Sequence, residues 1–241
     1  MNLADRAVRL AELHENARFA ATRFDGGPTF TGRAAVLPSA YNPPTRAHLG
    51  LLELARTVEG VSTVAAMLTT NNVDKSLFGA PLSHRVGMLL AMHAESPHVA
   101  VVASNAARLM DQGMALQASF TGVEFDFVVG FDTLVRLFDP KYYEDMPSSL
   151  DRFFASHRVI ATNRAEATLS AVRDFVRCEG VRTYSDRILV RELHADHAAL
   201  SSTLVRGEVA AGDVGSALTP GVAAYVRTFR LYAENGSQER S

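Results

Sequence analysis

The sequence predicts an α/β fold, in which a parallel sheet is covered by helices on both faces within a single domain. Short β-branched runs alternate with longer helical patterns along most of the 241 residues, and this alternation is typical of such sheets. Runs such as FDFVVG and VAVVAS are apolar almost throughout, as strands buried on both faces should be. Hydrophobic residues make up 47% of the chain, which is enough for a sizeable core at this length.

The first element is an amphipathic helix, predicted over residues 3–18 because apolar residues recur there among charges. A break rich in glycine and proline follows at 25–28. The predicted strands then cover residues 33–37, 62–68, 98–103, 125–129, 159–162 and 187–192. The predicted helices cover 47–58, 83–94, 106–120, 165–177, 202–211 and 220–231. Ligands of parallel sheets bind where strands end and loops open into helices, so these junctions are where a site is expected.

The chain is predicted to divide into three parts. Residues 1–30 form an N-terminal helical extension that covers the sheet, 31–233 form the main domain, and 234–241 form a polar, frayed tail. The sequence does not decide the oligomeric state, so a homo-oligomer is left open.

Charge and composition argue against several classes of protein. The net charge is −2 and the pI is near 6.4, which gives no reason to expect binding to nucleic acid or to an anionic membrane. The first residues lack the apolar core of a signal peptide, and no run approaches the roughly 20 apolar residues of a membrane span, so we expect a cytoplasmic protein. Cys178 is the single cysteine and cannot form an internal disulfide; we expect it to be a partly buried helix residue.

The first junction joins a predicted strand to a predicted helix at residues 39–48. An Asn-Pro-Pro run forces a turn, Thr45 is a good helix cap, and His48 lies one turn further on the same helix face. Free amides and the helix dipole favour a phosphate here, and a histidine can donate to an oxygen that gains charge during phosphoryl-group chemistry. A plain cap followed by a packed histidine explains the same pattern, so both interpretations stay open.

The second junction follows the strand VSTVAAMLTT. Lys75 lies in the loop, at the sheet edge that also holds His48, where it can meet a phosphate. A loop lysine is otherwise simply solvated. Ser83 is expected to cap the next helix, and Arg85 is expected either to support the site or to pair with a carboxylate at the helix start.

The third junction begins where FDFVVG ends. Gly130 lets a ligand or a neighbouring backbone come close, and Asp132 can accept hydrogen bonds from ribose hydroxyls or cap the helix behind it. Further along, Tyr142 and Tyr143 can present a flat face to a heteroaromatic ring, although tyrosines at such positions also serve in ordinary packing.

The fourth junction is the string ALSSTLVRGEVAAGD. Ser201, Ser202 and Thr203 crowd a helix start, and Gly212 marks its end. Hydroxyls and free amides there can bind a phosphate, which Arg206 can clamp from one turn along. A capping cluster with a surface arginine is the alternative.

Taken together, the junctions resemble the nicotinamide/nicotinate mononucleotide adenylyltransferases. This family belongs to a Rossmann-like nucleotidyltransferase superfamily with an H/T-x-x-H motif and a late S-T-x-x-R motif. The resemblance extends to HRVGM and to LTPGVAAYVRTFRLY, and it covers about residues 33–232. It is carried by the order Thr45-x-x-His48, Lys75, Gly130-x-Asp132 and Ser202-Thr203-x-x-Arg206.

The resemblance implies a reaction and a set of site residues. AMP would pass from ATP, accompanied by Mg²⁺, to nicotinamide or nicotinate mononucleotide, with release of pyrophosphate and no covalent intermediate. The implied catalytic residues are His48, Lys75 and Arg206. The implied substrate contacts are Ser39, Ala40, Tyr41, Thr45, Gly130, Asp132, Tyr142, Tyr143, Ser202 and Thr203, and no residue is assigned as a metal ligand.

Two departures from the family pattern bear on the acceptor. The turn reads Ser39-Ala40-Tyr41 where the family usually has Gly-Ser/Thr-Phe, and the chain has no tryptophan to stack on the pyridine ring. Tyr142 or Tyr143 stands near the matching place. Two rival functions follow: a transferase of the same superfamily with another phosphorylated acceptor, such as phosphocholine, glycerol phosphate or phosphopantetheine, and a nucleotide-binding sensor that has lost catalysis.

Overall fold

The computed structural model describes residues 1–71, 79–163, 167–194, 202–210 and 216–233. Within these ranges the strands form one sheet of seven, in the order β1-β4-β3-β2-β5-β6-β7. All neighbouring strands are parallel except β1, which pairs antiparallel with β4 at the edge. The strands are β1 Ala21–Arg23, β2 Arg33–Ser39, β3 Val61–Thr69, β4 Val99–Ser104, β5 Glu124–Gly130, β6 His157–Thr162 and β7 Ile188–Arg191.

Helices connect the parallel strands, and none of those described is long and apolar enough to cross a membrane. They are α1 Leu3–Glu15, α2 Arg46–Arg56, α3 Leu82–Glu95, α4 Leu109–Ser119, α5 Phe131–Leu137, α6 Met146–Ser156, α7 Leu169–Arg177, α8 Ser202–Ala210 and α9 Pro220–Thr228. Short 3-10 turns cover Pro140–Tyr142 and Arg182–Arg187.

The sheet separates two apolar cores. Successive residues of a strand point to opposite faces, so Leu37 enters the core shared with α1, α2, α3 and α9, whereas Val36 enters the core shared with α4 to α7. Both side chains are buried. Helices therefore cover both faces, and the predicted Rossmann-like α/β class is confirmed.

The sequence prediction differs from the structure in several elements. The sequence predicts neither β1 nor α6. β1 has only three residues, too few for a periodic pattern, and α6 has a proline in its first turn. The expectation for Cys178 was wrong, because this residue is exposed and lies just beyond the end of α7, where its backbone N–H closes the helix.

The N-terminal extension shares the sheet of the main domain. α1 packs against α3, and β1 adds an edge strand to β4. The buried Asn105 side chain, just after β4, donates to the carbonyl groups of Leu13, Asn16 and Arg18. The extension is thus tied to the carboxyl end of a core strand, and the domain boundary at residue 30 stays a prediction.

Candidate active site

The turn between β2 and α2 is anchored in the core by its aromatic residue. Tyr41 has a left-handed backbone, with φ of 45°, and its side chain is fully buried. Its hydroxyl donates to the Leu37 carbonyl at 2.7 Å. Any contact of Tyr41 with a ligand therefore has to come from its backbone. Ser39 has no such left-handed φ, so a serine in place of the family's glycine does not strain this turn.

His48 is held in one orientation by the helix cap. The Thr45 backbone N–H donates to His48 Nδ1 at 3.0 Å, so in the neutral ring Nε2 carries the proton. Nε2 lies 3.1 Å from Ser39 Oγ, at the carboxyl end of β2. The imidazole is 1% exposed. The predicted neighbours Thr45 and His48 thus touch directly, and the Nε2 proton is directed toward the end of the strand.

The helix with the S-T-x-x-R motif packs against the same turn. Arg206 Nη1 donates to the Asn42 carbonyl at 2.7 Å, and Ser202 Oγ donates to the Pro43 carbonyl at 2.9 Å. Arg206 Nη2 also donates to Thr203 Oγ1 at 3.1 Å. Because the turn leads directly into the cap of α2, Arg206 and His48 lie on the same side of the molecule, as the resemblance required.

Arg85, in α3, supports the β2–α2 turn through hydrogen bonds. This buried arginine donates from Nε to the Ala80 carbonyl at 2.7 Å and from Nη1 to the Ala40 carbonyl at 3.2 Å. Burial lowers the pKa of its guanidinium group, and the neighbouring Arg206 acts in the same direction. Of the two expectations for Arg85, support of the site matches these contacts.

The chain end beyond α9 contributes a residue that sequence reasoning missed. Tyr232 donates its hydroxyl to Asn42 Oδ1 at 2.8 Å, and the Ala80 backbone N–H donates to the same oxygen at 3.1 Å. Burial raises the pKa of Tyr232, so the hydroxyl stays protonated and keeps donating. The motif LTPGVAAYVRTFRLY contains Tyr232, but its spacing gives no hint that this side chain folds back onto the turn.

A cavity of about 620 Å³ opens beside the turn. Ser39 and Ala40 line it from the end of β2, and Tyr142 and Tyr143 line it from the segment between α5 and α6. Four predicted substrate contacts from two distant parts of the chain are therefore brought around one space.

Tyr143 already uses its hydroxyl within the protein. The hydroxyl donates to the Leu137 carbonyl at 2.6 Å, and burial raises its pKa to about 12. Its ring is thus fixed as part of the cavity wall. Tyr142 lies in the preceding 3-10 turn, where the Lys141 ammonium sits 4.8 Å from the centre of its ring.

Arginines that the sequence did not single out also line the cavity. Arg108 pairs with Asp111 at 2.7 Å and reaches the Tyr142 carbonyl at 3.4 Å, so it links α4 to the tyrosine segment. The hydrogen bond to Asp111 raises the pKa of Arg108. Arg136 and Arg152 bring further guanidinium groups to the lining. Such groups suit the phosphate of a small ligand.

Gly130 and Asp132 lie on the neighbouring strand end, outside the cavity lining. The β2–β5 register pairs Val36 with Phe127. Three residues further along each strand, Gly130 is therefore level with Ser39. Asp132 is exposed in the first turn of α5 and makes no hydrogen bond or ion pair to the described residues. Their contact with adenosine stays a prediction.

Some predicted residues lie outside the described ranges. Lys75, Ser201 and Gly212 are among them. In the ranges that are described, no group of histidine, cysteine, aspartate or glutamate side chains could hold a metal ion.

The fold is a Rossmann-like α/β fold, in which the Thr45–His48 and Ser202–Arg206 motifs meet at the end of β2. Two solved structures with a similar fold are Plasmodium falciparum nicotinic acid mononucleotide adenylyltransferase complexed with APC and with NaAD. The TM-scores are 0.62 and 0.63 at 12% and 14% identity, and each match covers 83% of this chain and 97% of the other. At such identity the likeness concerns the fold alone.

Comparison of the sequence with known proteins finds a resemblance to a family. A Schizosaccharomyces pombe protein assigned as a nicotinamide mononucleotide adenylyltransferase is 30% identical over 133 residues. The match covers 54% of this chain and 52% of that protein, about half the length of each. No protein-family model matches the chain. This relative confirms, over the matched residues, the resemblance to nicotinamide/nicotinate mononucleotide adenylyltransferases that four short motifs predicted.

Proposed function

We propose that the protein is an adenylyltransferase that joins AMP from ATP to a pyridine mononucleotide and releases pyrophosphate. The supporting observation is the position of His48, whose Nε2 proton is directed at the end of β2 beside a cavity large enough for a mononucleotide. In the reaction, a phosphate oxygen of the mononucleotide attacks the α-phosphorus of ATP in line, and the bond from that phosphorus to the bridging oxygen of pyrophosphate breaks.

The triphosphate is proposed to lie over the β2–α2 turn. The amino terminus of α2 supplies the favourable end of the helix dipole, and Arg206 brings positive charge next to Asn42. Lys75 is proposed to add a further charge. His48 Nε2–H then donates to a phosphate oxygen near the present position of Ser39 Oγ, where it stabilises the charge that develops in the transition state.

Magnesium is proposed to enter as part of the ATP complex, because phosphate oxygens are hard ligands that suit this ion. When bound, Mg²⁺ supplies neutralisation of triphosphate charge. The protein's task is to bind and orient the complex. We assign this task to Ser202, Thr203 and Arg206, and their contacts with one another and with the β2–α2 turn support the assignment.

The mononucleotide is proposed to fill the cavity, and adenosine the neighbouring strand end. Ser39 and Ala40 lie between the two regions, so that the acceptor phosphate can approach ATP there. Asp132 is proposed to accept hydrogen bonds from the ribose of ATP.

A pyrophosphate-release assay with MgATP and a panel of acceptors tests this function. We expect release with nicotinamide or nicotinate mononucleotide and little with phosphocholine, glycerol phosphate or phosphopantetheine. Release with one of the latter alone would move the protein to another branch of the superfamily. Binding of ATP and mononucleotide without release would make it a sensor.

A further inference from the structure

Arg108 joins two walls of the cavity that is proposed to hold the mononucleotide. Its guanidinium group donates two hydrogen bonds to the buried Asp111 of α4, from Nε to Oδ2 at 2.7 Å and from Nη2 to Oδ1 at 3.2 Å. Its Nη1 reaches the Tyr142 carbonyl at 3.4 Å. All three residues line the cavity. One side chain therefore connects the α4 wall with the wall formed between α5 and α6.

The tyrosine segment, residues 138–145 between α5 and α6, depends on this contact for its position relative to α4. Among the described residues, its other hydrogen bonds are local, made within the segment or to the helices directly beside it. The Tyr143 hydroxyl, for example, donates to the Leu137 carbonyl at the end of α5. The hydrogen bond from Arg108 is thus the described one that crosses from α4 to the tyrosine segment.

The stability of α4 does not explain an arginine at this position. Arg108 is the N-cap residue of α4, and its side chain makes no capping hydrogen bond. Serine, threonine, aspartate and asparagine are preferred at an N-cap, and a positive charge is unfavourable at the amino end of a helix. Asp111 lies in the first turn, where an acidic residue is favourable by itself. The contacts that Arg108 makes outside the helix therefore explain it better.

We propose, on the basis of the proposed function, that Arg108 is a positioning residue that holds the tyrosine segment at the distance from α4 that the mononucleotide requires. Asp111 fixes the plane of the guanidinium group by accepting two hydrogen bonds, so that Nη1 stays directed at Tyr142. A wall that is already in place lowers the cost of ordering on binding. Loss of the link should weaken binding of the acceptor, whereas ATP, proposed to lie over the β2–α2 turn, should bind as before.

Arg108→Asn separates this role from the stability of the helix. Asparagine is a good N-cap, and with Asp111 three residues later it can form a capping box like that of Asn2 and Asp5 in α1. The link to Tyr142 is lost, while the helix start and the carboxylate gain new partners. With MgATP, we expect the KM for nicotinamide or nicotinate mononucleotide to rise at least about fivefold. The KM for ATP and kcat should stay close to those of the unmodified chain, and the midpoint of urea denaturation should not fall.

Two further variants complete the test. Arg108→Lys keeps the positive charge but loses the planar group that contacts Asp111 and Tyr142 together, so it should show the same rise in the acceptor KM. Arg177→Asn is the matched control. Arg177 is an exposed arginine on α7 that pairs with Asp174 three residues away, outside the cavity lining, and its substitution should leave both KM values unchanged.

The kinetic results decide between the positioning role and its alternatives. An unchanged acceptor KM in Arg108→Asn overturns the role, and so does a normal acceptor KM in Arg108→Lys, which would show that charge alone is needed. An equal rise in the KM for ATP, or a lower urea midpoint, would show a general loss of structure and also overturns it. Pyrophosphate release by the unmodified chain would still support the transferase in each case. Release with neither mononucleotide overturns the proposed function, and the role of Arg108 in acceptor binding falls with it.

Discussion

The two ends of the parallel sheet are stabilised in different ways. At the amino end, the fully buried Asp126 lies between two guanidinium groups, with Arg33 at 2.8 Å and Arg158 Nε at 3.0 Å. At the carboxyl end, Arg85 and Arg206 donate to backbone carbonyl groups of the β2–α2 turn. The contacts described at the amino end join opposite charges, whereas those at the carboxyl end join guanidinium groups to the backbone of the turn.

The residues at the amino end are therefore expected to stabilise the fold, and those at the carboxyl end to serve the proposed reaction. At the amino end, the Asp126 carboxylate and the guanidinium groups of Arg33 and Arg158 have opposite charges. Their contacts join β2, β5 and β6 in register. The contacts of the carboxyl end fix the shape of the turn and bring two guanidinium groups to it, which suits the triphosphate site proposed there. Substitutions at the two ends should therefore affect different measurements.

The largest effect is expected for Asp126→Ala. Removing this carboxylate leaves two partly buried arginines without their shared partner, so the free energy of unfolding should fall by about 3–5 kcal/mol. Chemical denaturation measures this change, and kcat/KM per folded molecule should stay near normal. Glu124→Ala is the matched control, because Glu124 is 62% exposed and pairs with Arg33 at the surface, where the cost is at most about 1 kcal/mol. Equal losses in both variants would refute the buried network.

At the carboxyl end, His48→Ala should lower kcat by at least about 10²-fold, because it removes a donor to the transition state. The circular dichroism spectrum should stay native. His98→Ala removes an exposed histidine at the amino end and should leave turnover unchanged. Near-normal turnover in His48→Ala would contradict its role.

The pH dependence of the free energy of unfolding tests the contacts of Asp25, which lies near the amino end of β4. Burial opposes its ionisation, but hydrogen bonds from the Val101 N–H, Arg23 and the Gly27 N–H outweigh burial and lower its pKa below 3.8. A lowered pKa stabilises the fold above about pH 4, and this contribution is lost as the pH falls through the folded-state pKa. Asp25→Asn should therefore cost about 1–2 kcal/mol at pH 7. In urea titrations the difference from the unmodified chain should shrink below pH 3.8; a difference independent of pH would be inconsistent with this account.

The smallest effect is expected for Tyr232→Phe, which removes one hydrogen bond to Asn42. The loss of about 1 kcal/mol should raise the KM for ATP about fivefold and leave kcat and the acceptor KM little changed. Tyr225→Phe removes a hydroxyl that is bonded to Arg6, away from the turn, and should leave both KM values unchanged. Identical kinetics for the two variants would show that the Tyr232 hydroxyl does not support the turn.

The fold could be predicted because its signals are local. Apolar runs such as VAVVAS and the alternation with helices indicate a buried parallel sheet, whereas the short β1 and the helix α6 escaped this reasoning. The Thr45–His48 pair could also be predicted, since a helix cap places both residues on one turn.

The support of the site could not be predicted in the same way. Tyr232 and Arg108 come from separate segments and follow no spacing rule, and the sequence indicated a supporting role for Arg85 without its partners. Their contacts depend on how α3, α4 and the chain end pack on the sheet, which is a tertiary property. The expected role of Lys75 lies outside the described residues and stays a prediction.

The most direct test of the central claim follows the α-phosphate. ATP labelled at the α-phosphorus is incubated with Mg²⁺, nicotinamide mononucleotide and the protein, and the products are separated by chromatography. The account predicts that the label appears in the dinucleotide in a one-to-one ratio with unlabelled pyrophosphate, and that His48→Ala slows its appearance at least about 10²-fold. Label that stays in ATP, or that appears only in ADP or AMP, would contradict adenylyl transfer.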